Sequence, residues 1–84
     1  MGSQHPEAIR LQRAIGHCVR GHRVALGILQ KDMAERVGMS PYHLCMLENG
    51  HISFTVASIV NLAVELRKSP GEILDDALIP VYVG

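Results

Sequence analysis

Side chains able to do chemistry fall in three stretches of this chain. In the first, His17, Cys18 and His22 bring two imidazoles and a thiol close together. Imidazole nitrogen and thiolate sulfur are ligands for zinc-like metals, but the stretch has neither a CxxC nor an HxxxH pair. No metal site is expected there, and Cys18 reads as a packing residue. The second stretch, residues 30–50 (QKDMAERVGMSPYHLCMLENG), gathers amide, ammonium, hydroxyl, phenol, imidazole and thiol groups on Gln30, Lys31, Ser40, Tyr42, His43, Cys45 and Asn49. Such groups hydrogen-bond to phosphates and base edges. Cys45 has no cationic neighbour in the sequence to activate it as a redox thiol. The third stretch, Asp75-Asp76, has two carboxylates with no His or Cys beside them and reads as a solvated helix end. No nucleophile, base and orienting group fall together, and no glycine-rich loop could cradle a phosphate. The chain is not expected to be an enzyme or to carry a cofactor.

These side chains must be held by helices. A first helix is expected from Pro6, because proline at the first helical position loses no hydrogen bond. Ala8, Leu11, Ile15, Cys18, Val19, Ala25 and Leu26 recur at three- and four-residue steps as one apolar stripe. His22 lies on that stripe and reads as a hydrogen-bonded core histidine. Arg10, Arg13, Arg20, Gly16 and Gly21 fall on other faces, and Gly27 is an end signal. A second helix spans residues 30–37 and buries Met33, Ala34 and Val37. Leu29, at its N-cap position, has no side-chain oxygen, which costs about 1 kcal/mol relative to a capped start. Gly38 allows a tight turn. Ser40 then caps a third helix that begins at Pro41, buries Leu44 and Leu47, and ends at Asn49-Gly50.

Thr55 is the N-cap of a fourth helix, with Phe54 and Ile59 placed as a hydrophobic staple. Val56, Ile59, Val60, Leu62, Ala63 and Leu66 make that helix apolar on more than one side. Ser69-Pro70-Gly71-Glu72 is a capping box that opens a short fifth helix carrying Ile73, Leu74, Ala77 and Leu78. Pro80 is expected to stop it, leaving Val81-Tyr82-Val83 as a short β-prone tail. The expectation is a single all-α domain over residues 1–84, with a core at about 8–78, a helix-turn-helix at 30–48 and a tail at 79–84.

The 84 residues include no Trp and only three aromatics, Tyr42, Phe54 and Tyr82, so aliphatic side chains must fill the core. No apolar run reaches the roughly 20 residues of a membrane span, and no charged-then-apolar signal peptide is expected at the start. The two cysteines have no disulfide framework spacing, and a reduced, cytoplasmic setting is expected. Formal net charge is zero, but it is polarised: residues 1–42 hold six Arg and Lys against three acidic residues, and residues 43–84 hold two against five. A basic end can still face phosphates.

The ordered set Ile15-Gly16, Val19, Arg23, Gln30, Met33-Ala34, Gly38, Ser40, Leu44 and Leu47-Glu48-Asn49-Gly50 resembles the Cro/phage-repressor type of helix-turn-helix, the XRE family. Ile59, Leu62-Ala63, Leu66 and Ser69 with Glu72-Ile73-Leu74 continue the resemblance, which covers roughly residues 12–76. It implies a five-helix, lambda-repressor-like DNA-binding domain and a transcriptional regulator that binds double-stranded DNA. It also implies that Gln30 meets a phosphate at the start of the second helix, and that Arg23 and Glu48 form a salt bridge behind the recognition helix.

By the same resemblance, Ser40, Pro41, Tyr42, Cys45 and Met46 are the base-facing residues. Lys31, Arg20, His43 and Asn49 join Gln30 on the phosphate side. The helix departs from the family's usual chemistry, because it has no Arg, Lys, Asn or Gln before Asn49 to read guanine or adenine. One domain of this size meets one half-site, so a homodimer on a palindromic operator is expected. Val56, Val60, Val64, Leu78, Ile79, Val81 and Val83 are the candidate interface. The expected role is a repressor or autoregulator. The alternative is the same fold used as a protein-interaction module or antitoxin-like partner. Relatives of this length include phage repressors, restriction–modification controllers and antitoxins.

Overall fold

The computed structural model describes residues 5–82. Within them are five helices: α1 (Pro6–Ala25), α2 (Gln30–Arg36), α3 (Pro41–Glu48), α4 (Val56–Glu65) and α5 (Pro70–Tyr82). Val19, Met33, Ala34, Leu44, Leu62, Ala63, Leu66 and Ile73 form one aliphatic core to which every helix contributes. The expected all-α architecture is observed.

Local signals set most of the boundaries. Ser40 Oγ accepts the His43 backbone N–H at 3.0 Å and caps α3. Thr55 and Ser58 cap α4 reciprocally. The α2–α3 turn closes with Met39 N–H on the Ala34 carbonyl and Gly38 N–H on that of Glu35, with Gly38 at φ 74°. Leu29 makes no side-chain cap bond, as its chemistry dictates.

The capping box at α5 also forms. Ser69 N–H donates to Glu72 Oε1 and Glu72 N–H to Ser69 Oγ, each at 3.0 Å. The backbone N–H of Ser69, and then its hydroxyl, hold the Glu72 carboxyl below the usual carboxylate range. A carboxyl lowered on folding adds stability above its unfolded pKa, and that increment is lost as pH falls through the lowered value. The expected result is that Glu72→Gln shallows the fall of Tm in acid while leaving Tm at neutral pH only slightly reduced, measured by thermal melts across an acid pH series.

The C-terminal expectation is corrected. Pro80 does not stop α5, which runs through it to Tyr82, so the β-prone tail is helical up to that residue. Val83 lies outside the described residues. An internal proline costs a helix about 3 kcal/mol, and the last turn of α5 that carries it is tied to the start of α1. Arg10 Nη2 donates to the Val81 carbonyl at 3.2 Å, and Tyr82 donates its hydroxyl to Glu7 Oε2 at 2.6 Å. The Arg10 guanidinium also lies 5.9 Å from the Tyr82 ring centre. These contacts link residues more than 70 positions apart, so local sequence could not announce them.

Gly16 is a second correction. It does not lie on an outer face but is buried where α1 crosses α3. A Cβ there would meet the Leu47 carbonyl oxygen at 2.4 Å and that of Glu48 at 2.7 Å. The buried seam of α1 is Gln12, Gly16, Val19 and Arg23, one helical stripe of mostly polar or small residues.

Candidate nucleic-acid interface

The structure holds α3 from behind and leaves its front open. Leu44, Leu47 and Glu48 are buried. Ser40, Pro41, Tyr42 and His43 are exposed, and Cys45 and Met46 are half-buried. Tyr42 is 73% exposed and presents a ring and a hydroxyl at the front of α3. Tyr42, Met46 and Asn49 recur at helical spacing and so share one face.

Behind that face is a buried ionic cluster. Arg23 Nε donates to Glu48 Oε2 at 2.7 Å, Arg23 Nη2 to Glu48 Oε1 at 3.0 Å, and Arg23 Nη1 to the Ile28 carbonyl at 2.7 Å. Gln30 Nε2 adds a fourth bond, to Glu48 Oε1 at 3.0 Å. The bidentate geometry fixes the angle of α3 against α1, and Gln30 ties the start of α2 to the same carboxylate. The expected Arg23–Glu48 bridge is present. Gln30 has one of its two amide hydrogens committed to it, with the other available for a phosphate.

The predicted phosphate residues surround α3 unevenly. Arg20 shares a hollow with Gln30, Cys45 and Asn49, at the C-terminal end of α3. Lys31 lies at the N-terminal end, in a hollow with Pro41, but Asp32 and Glu35 line it too and offset its charge. Arg36 borders Leu26, Ile28, Glu65 and Arg67, away from both hollows. Asn49 donates its amide to the Cys45 carbonyl at 3.0 Å and to Cys45 Sγ at 3.3 Å. Both bonds hold the Asn49 amide against the last turn of α3, so a phosphate would compete with Cys45 for it.

Two side chains that sequence reasoning passed over support this face. Gln12 Nε2 donates to the Gly50 carbonyl at 3.0 Å, and Gln12 Oε1 accepts the Ser53 hydroxyl at 2.6 Å, so a buried amide of α1 clamps the exit from α3. Arg13 packs its stem against Gly50, where a Cβ would meet Arg13 Cγ at 2.5 Å. The only signal in the sequence was the four-residue step from Gln12 to Gly16.

Among the interface candidates, Val56, Val60, Val64 and Ile79 are exposed, whereas Leu78 and Val81 are half-buried in their own domain. Val56, Val60 and Val64 recur every four residues along α4.

A short helix packed beneath a second helix with an open polar face is the helix-turn-helix arrangement, the class of fold that presents one helix to a DNA groove. The comparisons agree. A helix-turn-helix family matches residues 19–73, and the chain belongs to that family, in its XRE type. Two crystal structures of the clp gene regulator ClgR from Corynebacterium glutamicum are similar at 27% identity. One has a TM-score of 0.78 and covers 80% of this chain and 71% of that one. The other has a TM-score of 0.77 and covers 80% and 86%. The restriction-modification controller protein C.AhdI from Aeromonas hydrophila is similar at 26% identity and TM-score 0.71, covering 74% of this chain and 94% of that one. No curated protein sequence matches the chain. The family and these relatives make the chain a DNA-binding transcriptional regulator. Among the described residues, no helix is long and apolar enough to cross a membrane.

Proposed function

We propose that this chain is a sequence-specific regulator, a repressor or autoregulator in the cytoplasm, that binds a palindromic operator as a homodimer with α3 in the major groove. The observation that carries this reading is the contrast across α3, with a buried ionic lock behind and Tyr42 exposed in front. Pro41, Tyr42 and Met46 contact thymine methyls and base edges, with Ser40 beside them and Cys45 recessed beneath Asn49. Gln30, Lys31, Arg20 and His43 meet phosphates. The absence of bidentate guanine or adenine readers before Asn49 shifts specificity toward methyl contacts and DNA shape. Val56, Val60 and Val64, with Ile79, supply the apolar surface for a second copy. The test is binding to DNA from the chain's own genomic neighbourhood across a salt series. A log–log slope of about −3.6 is expected, for the four phosphates that Lys31 and Arg20 of two protomers neutralise. No binding, or binding indifferent to salt, would overturn the reading.

A second reading, a protein-interaction module, draws on the position of Arg36 away from α3 and on the acidic neighbours of Lys31. Tyr42→Ala separates the two. An exposed residue changes stability by no more than about 0.5 kcal/mol, so the variant stays folded. Loss of a base-facing side chain is expected to weaken operator binding by about tenfold or more. Unchanged DNA affinity with loss of a protein contact would favour the module.

A further inference from the structure

The polar side chains at the far side of α1 have no role in holding α3. Cys18 and His22 stand one helical turn apart on α1, and α5 brings Asp76 against them. His22 Nε2 lies 3.0 Å from Asp76 Oδ2. Cys18 points its Sγ the same way, donating to the Ile73 carbonyl of α5 at 3.6 Å. One ligand atom from each of Cys18, His22 and Asp76 lies within 4.8 Å of the other two. Cys18 and His22 are half-buried and Asp76 is exposed, so the three meet at the edge of an open groove also lined by His17 and Gly21. Asp76, which has no His or Cys beside it in the sequence, thus has both in the fold. That neighbourhood exists only once α5 docks on α1.

We propose that Cys18, His22 and Asp76 form a three-ligand site for Zn2+ that joins α5 to α1. Tetrahedral zinc with sulfur, nitrogen and oxygen ligands needs ligand–ligand separations of about 3.4–3.6 Å, within the spread these atoms already show. Small rotamer changes suffice, because two ligands share a helix face and the third is on an exposed side chain. Binding replaces the His22–Asp76 contact and the Cys18–Ile73 hydrogen bond. The Cys18 thiol proton leaves to solvent as the Zn–S bond forms, with no change of oxidation state. The fourth position opens to the groove, where water or the His17 imidazole completes the coordination. Such an ion also adds positive charge to the helix that carries Arg20 and Arg23.

The test uses the untagged full chain stripped by chelator and titrated with Co2+ and Zn2+. With Co2+, a 1:1 endpoint, a near-ultraviolet thiolate-to-cobalt band and intense visible bands of four-coordinate cobalt are expected. Zn2+ is expected to displace the cobalt, and to raise Tm by about 10–20 °C at a concentration about 100-fold above Kd. Cys18→Ser is expected to abolish the charge-transfer band, whereas Cys45→Ser keeps it. Asp76→Asn, which preserves shape and is checked by circular dichroism for folding, is expected to weaken Co2+ binding at least tenfold. No charge-transfer band in the unsubstituted chain, or a band that survives Cys18→Ser and vanishes with Cys45→Ser, would overturn the proposal. So would an unchanged Co2+ affinity in folded Asp76→Asn.

Discussion

Gly16→Ala is expected to destabilise the chain by about 2–3 kcal/mol, and Gly21→Ala to stabilise it by about 0.5–1 kcal/mol, although both change the same atom on the same helix. At Gly16 the new methyl would lie 2.4 and 2.7 Å from two backbone carbonyl oxygens of α3. Backbone cannot rotate away as a side chain can, so α1 and α3 must separate, and the overpacking cost exceeds the helix-propensity gain. At Gly21 an added Cβ meets nothing within 4 Å, so only the propensity gain remains. Urea unfolding of both variants reads the sign directly. Because Leu47 and Glu48 form the rear of α3, Gly16→Ala is also expected to weaken DNA binding by more than its loss of folded fraction, whereas Gly21→Ala is not.

Glu48→Ala is expected to cost about 3–5 kcal/mol, the usual result of removing one partner from a buried ion pair. The Arg23 and Glu48 side chains are only 9% and 1% exposed, so neither charge has water to fall back on. The loss leaves the Arg23 guanidinium with one hydrogen bond, to the Ile28 carbonyl, in place of three. It also releases Gln30, whose amide is bonded to the same carboxylate. The paired change Arg23→Met with Glu48→Leu is expected to recover most of the stability, because desolvating two charges offsets much of what their attraction returns. DNA binding is not expected to recover, since Gln30 is no longer held at the start of α2. Urea unfolding of Glu48→Ala reads the loss, and a double-mutant cycle of Arg23→Met and Glu48→Leu, with DNA affinity measured on the same proteins, separates the role in folding from the role in positioning.

What the sequence made legible follows from the range of each interaction. Gly38, Ser40 and Pro41 act on their own backbones, so the turn and the start of α3 could be read directly. Thr55, Ser69 and Glu72 are equally local. The Arg23–Glu48 pair, 25 residues apart, became visible only through the resemblance, because nothing in the spacing alone joins α1 to α3. The seam of α1 lies one position away from its apolar stripe. Apolarity pointed to Ile15 and Cys18, while the most buried positions are Gln12, Gly16, Val19 and Arg23. A buried glycine and a buried amide carry no hydrophobic signal. Their value appears only when α3 arrives with carbonyl groups to be approached or bonded.

The same limit applies to the last turn of α5 and to Asp76. Pro80 is a strong local stop signal, yet α5 runs through it, and its last turn meets Arg10 and Glu7 from the other end of the chain. Asp76 looked like a solvated carboxylate because its histidine lies 54 residues away. Chemistry made by docking α1 on α5 is invisible to spacing, whereas chemistry carried along α3 is not. The identity of the exposed face of α3 could be read residue by residue. What those residues touch depends on a second molecule.

That question is most directly settled by selecting bound DNA from a random-sequence pool with the full chain, in the presence of nonspecific competitor. Enrichment of a dyad-symmetric site is predicted, with half-site centres one helical turn, about 10–10.5 bp, or a multiple of it apart. A pool that stays unenriched through successive rounds, while the chain remains folded, would contradict a sequence-specific operator-binding role.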